Sequence, residues 1–194
     1  MRRWQQRGLK NLKVAVNLSA AQLRDPSLKL TVQRTLERHR LNASALELEL
    51  TETAATQDAE RTFALFGALR ALGVSLAIDD FGSGYSSLSY LKNLPFDKLK
   101  VDREFVVDVH LRRDSRAICR SLVALTRGLD LAILAEGVES WDEVEALRDL
   151  GCTTFQGFLF SEPVNSDQFI EIALDPLWRR PLKRPGPMEG RMSA

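Results

Sequence analysis

The chain has 194 residues, of which 44% are hydrophobic and 27% charged, with a formal net charge of +1. This length suits one globular domain with a sizeable core, and the balanced charge excludes the basic surface of a DNA-binding protein. No apolar run approaches the roughly 20 residues of a membrane span. The chain also begins without the apolar core of a signal peptide.

Two cysteines, Cys119 and Cys152, lie far apart in apolar patterns. This placement predicts buried thiols rather than a disulfide or a metal site, and a cytoplasmic location fits it.

Short apolar segments alternate with amphipathic stretches along the chain. The predicted strands are Val14–Leu18, Leu46–Thr51, Val74–Asp79, Lys98–Asp102, Leu131–Glu136 and Thr153–Phe160. The alternation predicts a parallel α/β architecture, either an open sheet or a (β/α) barrel.

Helices are predicted between these strands, with starts at Pro26 and at Asp114–Ser115, and with the last turns of another at Arg3–Leu9. The predicted buried stripes are Phe63, Phe66, Leu69 and Leu72, ended by Gly73, and Ile118, Leu122, Leu125 and Leu129. Residues 176–194 are rich in proline and arginine and are predicted to be a disordered tail after a domain of residues 1–175.

Every predicted strand carries a polar residue near its C-terminal end. These residues are Asn17, Glu49, Glu52, Asp79, Asp80, Lys100, Asp102, Glu136, Glu139 and Gln156. Any one of them alone is typical of a solvated strand end. The loops after parallel strands open on one face, which holds the active site in barrel enzymes, so we expect these residues to meet there.

Five of these groups carry only oxygen ligands and would repel one another without a cation: Asn17, Glu49, Asp79, Asp80 and Glu136. Oxygen ligands favour Mg²⁺ or Mn²⁺ over Zn²⁺. The two histidines, His39 and His110, have charged neighbours and are predicted to lie on the surface. Adjacent aspartates can serve two ions, which suits in-line attack on a phosphodiester.

Six linked motifs carry a family resemblance over about residues 4–175: NLS (17–19), ELTE (49–52), DDFGSGYSSLSYL (79–91), KLKVD (98–102), AEGVE (135–139) and QGFLFSEP (156–163). The chain resembles the EAL-type cyclic-di-GMP phosphodiesterases of bacteria. The resemblance implies a (β/α)8 TIM-like barrel with one antiparallel strand. It also implies hydrolysis of cyclic-di-GMP to pGpG with two Mg²⁺ or Mn²⁺ ions.

The resemblance also implies roles for single residues. Asn17, Glu49 and Asp79 match the ligands of one ion, and Asp79, Asp80 and Glu136 match those of the second. It assigns three further residues to the reaction: Lys100 beside the attacking water, Gln156 near the water and phosphate, and Glu52 as a brace for the loop Phe81–Ser87. Two nearby cations are expected to lower the pKa of Lys100.

The chain departs from the family pattern in one respect. The strand that carries the family's Glu-Ala-Leu triplet is expected before residue 1. About six of eight barrel strands are therefore expected here, with the N-terminal portion outside the chain. The copy at Glu145–Leu147 is predicted to be helical and outside the site, since Val144, Leu147 and Leu150 have helical spacing.

The missing strand leaves three readings of the chain's function open. The first is a phosphodiesterase domain whose turnover is very weak or absent in the chain alone, with an upstream GGDEF or sensor domain as partner. The alternatives are an inactive module that binds cyclic-di-GMP or a protein, and a gene fragment without function. An open barrel edge also predicts self-association, such as a homodimer.

Overall fold

A computed structural model of the chain describes residues 1–56, 59–82 and 95–175. Residues 1–162 form one compact unit, and a second unit begins at Pro163. The predicted tail at 176–194 and most of the predicted loop Phe81–Ser87 lie outside the described residues.

In the described part of the first unit, the centre is a six-stranded sheet whose strand order follows the chain order, β1-β2-β3-β4-β5-β6. Its strands are β1 (Val14–Asn17), β2 (Leu46–Thr51), β3 (Ser75–Phe81), β4 (Lys98–Val101), β5 (Ala132–Ala135) and β6 (Thr154–Phe155). Each neighbouring pair is parallel. The parallel α/β prediction is confirmed, and a strand order without reversal is that of a (β/α) barrel. The antiparallel strand implied by the resemblance is not among these six.

The structure describes eight α-helices in the first unit and one, the last, in the second. They are α1 (Arg2–Gln6), α2 (Ala20–Leu23), α3 (Leu28–His39), α4 (Glu52–Thr56), α5 (Ala59–Arg70), α6 (Arg103–Val106), α7 (Arg113–Gly128), α8 (Trp141–Leu150) and α9 (Ser166–Leu174). None of them combines the length and the apolar character that crossing a membrane requires.

The last strand is much shorter than the predicted Thr153–Phe160, because the chain turns after Phe155. The Val138 N–H donates to the Gln156 carbonyl, and the Leu159 N–H donates to the Val138 carbonyl. A Cβ at Gly157 would collide with the backbone of Val138. This close approach replaces strand pairing with a turn directly beyond the edge of the sheet.

The buried face of helix α7 shares Leu122 with the predicted stripe but otherwise differs from it. Ile118 is 36% exposed, whereas the buried residues are Ser115, Cys119, Leu122, Val123 and Thr126. Small and weakly polar residues face the core here, and the Thr126 hydroxyl donates to the Val123 carbonyl. The hydrophobic pattern therefore predicted the helix but not its orientation. The buried-thiol prediction is confirmed, since Cys119 and Cys152 are both buried and free.

Helix α5 follows its predicted stripe at the centre and departs from it at one end. Phe66 and Leu69 are fully buried, but Phe63 is 52% exposed. Gly73 ends this segment with a φ of 92°, a left-handed conformation that glycine adopts readily.

Strand β1 pairs only with β2 among the described strands, and it borders an apolar cleft. The cleft has a volume of about 340 Å³, and Val14, Val16 and Val32 are among its lining residues. Val16 is also 43% exposed to solvent. An exposed apolar strand edge is a surface on which protein chains associate.

We therefore expect the chain to self-associate through this edge and Val16→Lys to shift it towards the monomer, because a charge at an edge opposes pairing. Sedimentation velocity over a concentration series measures the change. Leu111→Lys is the matched control, since Leu111 is 72% exposed and does not line the cleft. A wild-type chain that stays monomeric throughout the series contradicts this prediction.

Candidate active site

Lys100 lies at the centre of a buried cluster of carboxylates. Its ammonium nitrogen contacts three of them, Glu49 at 2.8 Å, Asp79 at 3.0 Å and Glu136 at 2.7 Å. Only 3% of the Lys100 side chain is exposed. These residues lie in or directly after the consecutive strands β2, β3, β4 and β5. The structure thus brings four of the predicted site residues to one point at the C-terminal edge of the sheet.

A β-bulge explains how the neighbouring aspartates both reach this point. Ile78 pairs with Leu99 and Phe81 pairs with Val101, so Asp79 and Asp80 together oppose the single residue Lys100. Asp80 has a φ of 53°, in the left-handed region. Bulges redirect side chains and are common beside active sites. Strand β3, predicted to end at Asp79, therefore continues through the bulge to Phe81.

The bulge also creates a group of three carboxylates suited to a metal ion. One oxygen from each of Asp79, Asp80 and Glu136 lies within 4.8 Å of the other two. These are the three residues that the family resemblance assigns to the second ion. Carboxylate oxygens are the ligands that Mg²⁺ and Mn²⁺ prefer.

Burial and charge act in opposite directions on the ionisable groups of the cluster. Burial lowers the pKa of Lys100, but its hydrogen bonds to Glu136, Glu49 and Asp79 outweigh this and raise the pKa above its ordinary value. The expected lowering of the Lys100 pKa refers to a site with two cations bound, so it stays a prediction beside this shift, which arises from the carboxylates alone. Three carboxylates surround one ammonium group, so their attraction exceeds the cost of burial.

Two carboxyl groups of the site are held above their ordinary pKa. Burial raises the pKa of Glu136 to about 7, and the ammonium of Lys100 opposes this shift. Burial also raises the pKa of Asp80, with further contributions from the charges of Asp79 and Asp102. The single ammonium group of Lys100 cannot neutralise all of these carboxylates. The remaining negative charge favours the binding of additional cations.

Two further predicted residues lie at the C-terminal ends of the outer strands β1 and β6. Asn17 is exposed at the end of β1, where its register partner is Glu49. Gln156 joins the sheet through its backbone N–H, which donates to the Ala135 carbonyl at 2.9 Å, and its side chain is exposed. Both residues are exposed, and neither is among the carboxylate partners that contact Lys100.

Glu52 connects the site to the loop that follows β3. Its side chain is buried at the start of α4, and its Oε2 accepts a hydrogen bond from the Gly82 N–H at 3.0 Å. Gly82 has a φ of 105°, and a Cβ there would meet the ring of Phe105. This contact fits the predicted bracing role at the first residues of the loop.

A second group of metal-ligand types, Asp108, His110 and Glu143, lies outside the Lys100 cluster. The Glu143 carboxylate accepts three backbone N–H bonds, from Asp108 at 3.0 Å, Glu139 at 2.8 Å and Ser140 at 3.0 Å. These bonds assign Glu143 to capping α8. His110 is only partly exposed, and its Nδ1 is buried without a hydrogen-bond partner. The prediction that His110 lies on the surface is therefore wrong for this nitrogen.

The family comparison agrees with this geometry, since the family model described as "EAL domain" matches residues 1–163. The chain belongs to the EAL domain family. Two relatives come from Pseudomonas aeruginosa. The bifunctional diguanylate cyclase/cyclic di-GMP phosphodiesterase MucR is 45% identical over 170 residues, which are 88% of this chain and 25% of MucR. The cyclic di-GMP phosphodiesterase NbdA is 45% identical over 157 residues, 81% of this chain and 20% of NbdA.

Solved structures of EAL proteins have the same architecture. The P. aeruginosa MucR phosphodiesterase in complex with c-di-GMP matches with a TM-score of 0.83 and 45% identity, over 87% of this chain and 68% of that one. BlrP1 of Klebsiella pneumoniae, in a manganese/c-di-GMP complex, matches with a TM-score of 0.77 and 36% identity, over 84% of this chain and 42% of that one. The TIM-like barrel prediction is thereby confirmed. The chain spans about a quarter or less of the two curated relatives' length.

The Glu-Ala-Leu triplet of this EAL domain chain lies within helix α8, as predicted. Glu145 is on the exposed face of the helix, while Val144 and Leu147 are buried. The triplet therefore contributes to packing and is not part of the Lys100 cluster.

Proposed function

We propose that this EAL domain chain binds cyclic-di-GMP and hydrolyses it to pGpG with two divalent ions, Mg²⁺ or Mn²⁺, in the cytoplasm. The observation that carries the proposal is the buried cluster in which Lys100 contacts Glu49, Asp79 and Glu136 at 2.7–3.0 Å. The relatives named as cyclic di-GMP phosphodiesterases and the c-di-GMP complexes of similar structures support it.

The donor set fits two hard cations. Asp79, Asp80 and Glu136 present oxygens within 4.8 Å of one another and would hold one ion. The other ion would be held by Asn17 and Glu49, which are register partners, together with the shared Asp79. When bound, such ions neutralise phosphate charge and lower the pKa of a coordinated water.

The chain's own residues supply the rest of the chemistry. Lys100 donates hydrogen bonds from a buried position and would orient the attacking water in line with the scissile P–O bond. Gln156, directly after β6, would contact the phosphate. Glu52 holds the Gly82 peptide and thereby the start of the loop beside the metal ligands.

Glu136→Gln tests this proposal, because it removes a ligand charge with little change in shape. We expect pGpG release from cyclic-di-GMP in Mn²⁺ to fall roughly a hundredfold or more, since a small misplacement of reacting groups has an effect of this size. Chromatography of the products measures release. Glu145→Gln, on the exposed face of α8, is the matched control and should retain the wild-type rate. Equal rates for the Glu136→Gln variant and the wild type contradict the proposal.

A second candidate function is a module that binds cyclic-di-GMP without hydrolysing it. The observation that favours it is the exposed position of Glu145, which leaves the chain's Glu-Ala-Leu glutamate outside the proposed metal ligands. Titration calorimetry that detects tight cyclic-di-GMP binding by the wild-type chain, together with no pGpG release, supports this candidate over the enzyme.

A further inference from the structure

A second buried ion pair lies one layer below the Lys100 cluster. Lys98 Nζ contacts Glu47 Oε1 at 2.5 Å, with 3% of the Glu47 side chain and 20% of the Lys98 side chain exposed. Lys13 is more distant, at 3.5 Å from Glu47 Oε2, and is 43% exposed. Glu47 precedes Glu49 by two residues on β2, and Lys98 precedes Lys100 by two residues on β4, so each pair of residues faces the same side of the sheet.

The pair connects two strands that are not neighbours. Strand β3 lies between β2 and β4, and Ala77 is the β3 residue that pairs with Glu49 on one side and Lys98 on the other. Ala77 is fully buried. Its small side chain leaves room for the Lys98 ammonium to reach Glu47 across β3.

The bridge lies where the backbone pairing becomes irregular. Strand β4 is in regular register with β3 only at Lys98 and Leu99, and the bulge begins opposite Lys100. On the β3 side Lys100 therefore has no register partner, whereas on the β5 side it pairs with Leu134. A buried bridge at Lys98 ties β4 to β2 immediately before the residue that must reach Glu49.

We propose that Glu47 and Lys98 are positioning residues, which hold Lys100 at contact distance from Glu49 across the bulge. Their role is separate from the metal ligands and from the attacking water. The inference rests on the proposed function only where metal affinity is its readout, and the position of Lys100 can be followed without metal.

The test uses the double variant Glu47→Met/Lys98→Met. It removes both charges together, so the net charge is kept and no buried charge remains unpaired, a replacement that proteins often tolerate. The first readout is the rate at which the Lys100 ammonium protons exchange with solvent, which ¹⁵N NMR measures on the protein without added metal. We expect exchange at least tenfold faster in the double variant, because the contacts of Lys100 with its carboxylates loosen.

The second readout is Mn²⁺ affinity, measured by calorimetry. Loss of groups that orient metal ligands typically weakens affinity by about 10- to 100-fold, and we expect this range. Lys98→Arg keeps the bridge and should stay close to wild type in both readouts. Lys13→Met removes a cation near Glu47 but leaves the bridge, and it should also behave as wild type.

Each outcome decides the inference. An unchanged exchange rate of the Lys100 protons in a folded double variant overturns it. An effect of Lys13→Met as large as that of the double variant also overturns it, because charge and not the bridge would then be responsible. A wild-type chain that binds no Mn²⁺ contradicts the proposed function, while the exchange readout still decides the positioning role. If the methionine variant does not fold, Glu47→Gln/Lys98→Gln, which is closer in shape and polarity, takes its place.

Discussion

Asp79→Asn is expected to abolish the stabilisation that Mn²⁺ gives to the wild-type chain. Asp79 is the residue assigned to both ions, and its Oδ1 also contacts Lys100 and accepts the Asp80 N–H. An ion present at a hundred times its dissociation constant stabilises a fold by about 2.7 kcal/mol. For a chain of this size that corresponds to a rise of roughly 5 to 10 °C in melting temperature.

Circular dichroism melts with and without Mn²⁺ measure this effect. The wild-type chain should show the rise and the Asp79→Asn variant should show none. Asp149→Asn, on the exposed face of α8, is the control and should keep the full metal response. A rise of equal size in the Asp79→Asn variant would remove Asp79 from the metal site.

Lys100→Met is expected to destabilise the metal-free chain strongly. Without the ammonium group, Glu49, Asp79 and Glu136 remain buried together with no opposing charge at the centre of the cluster. Removing one partner of a buried ion pair typically lowers the free energy of unfolding by about 3 to 5 kcal/mol. Urea denaturation in a chelating buffer measures the loss.

Saturating Mn²⁺ should recover part of that stability in the Lys100→Met variant, because divalent ions supply positive charge to the same carboxylates. Arg70→Met is the matched control. Arg70 forms a 3.0 Å ion pair with Asp97 but is 46% exposed, so its loss should change the free energy of unfolding by less than about 1 kcal/mol. An equally small loss in the Lys100→Met variant would show that the cluster contributes little to folding.

The sequence by itself determined the architecture and the location of the site. The alternation of apolar strands with amphipathic helices predicted parallel strands, and parallel strands bring their C-terminal ends to one edge. The polar residues at those ends, including Glu49, Asp79, Lys100 and Glu136, could therefore be grouped from the sequence alone. Strand β2 was predicted with its observed bounds, Leu46–Thr51, because its alternating pattern is local.

Only the tertiary structure decided how these groups meet. The bulge at Asp79–Asp80 depends on the register between β3 and β4, and a strand pattern carries no information about register with a neighbour. The Glu47–Lys98 bridge depends in the same way on two strands separated by a third.

Burial and charge at a given side chain were likewise decided by packing. Hydrophobic spacing predicted Leu122 and Ile118 on the buried face of helix α7, but packing buried Leu122 together with Ser115, Cys119 and Thr126 and left Ile118 exposed. The direction of the Lys100 pKa shift followed from three carboxylates that approach from three other strands. Local periodicity is a property of the chain, whereas register, helix orientation and electrostatic environment arise only when distant segments pack against one another.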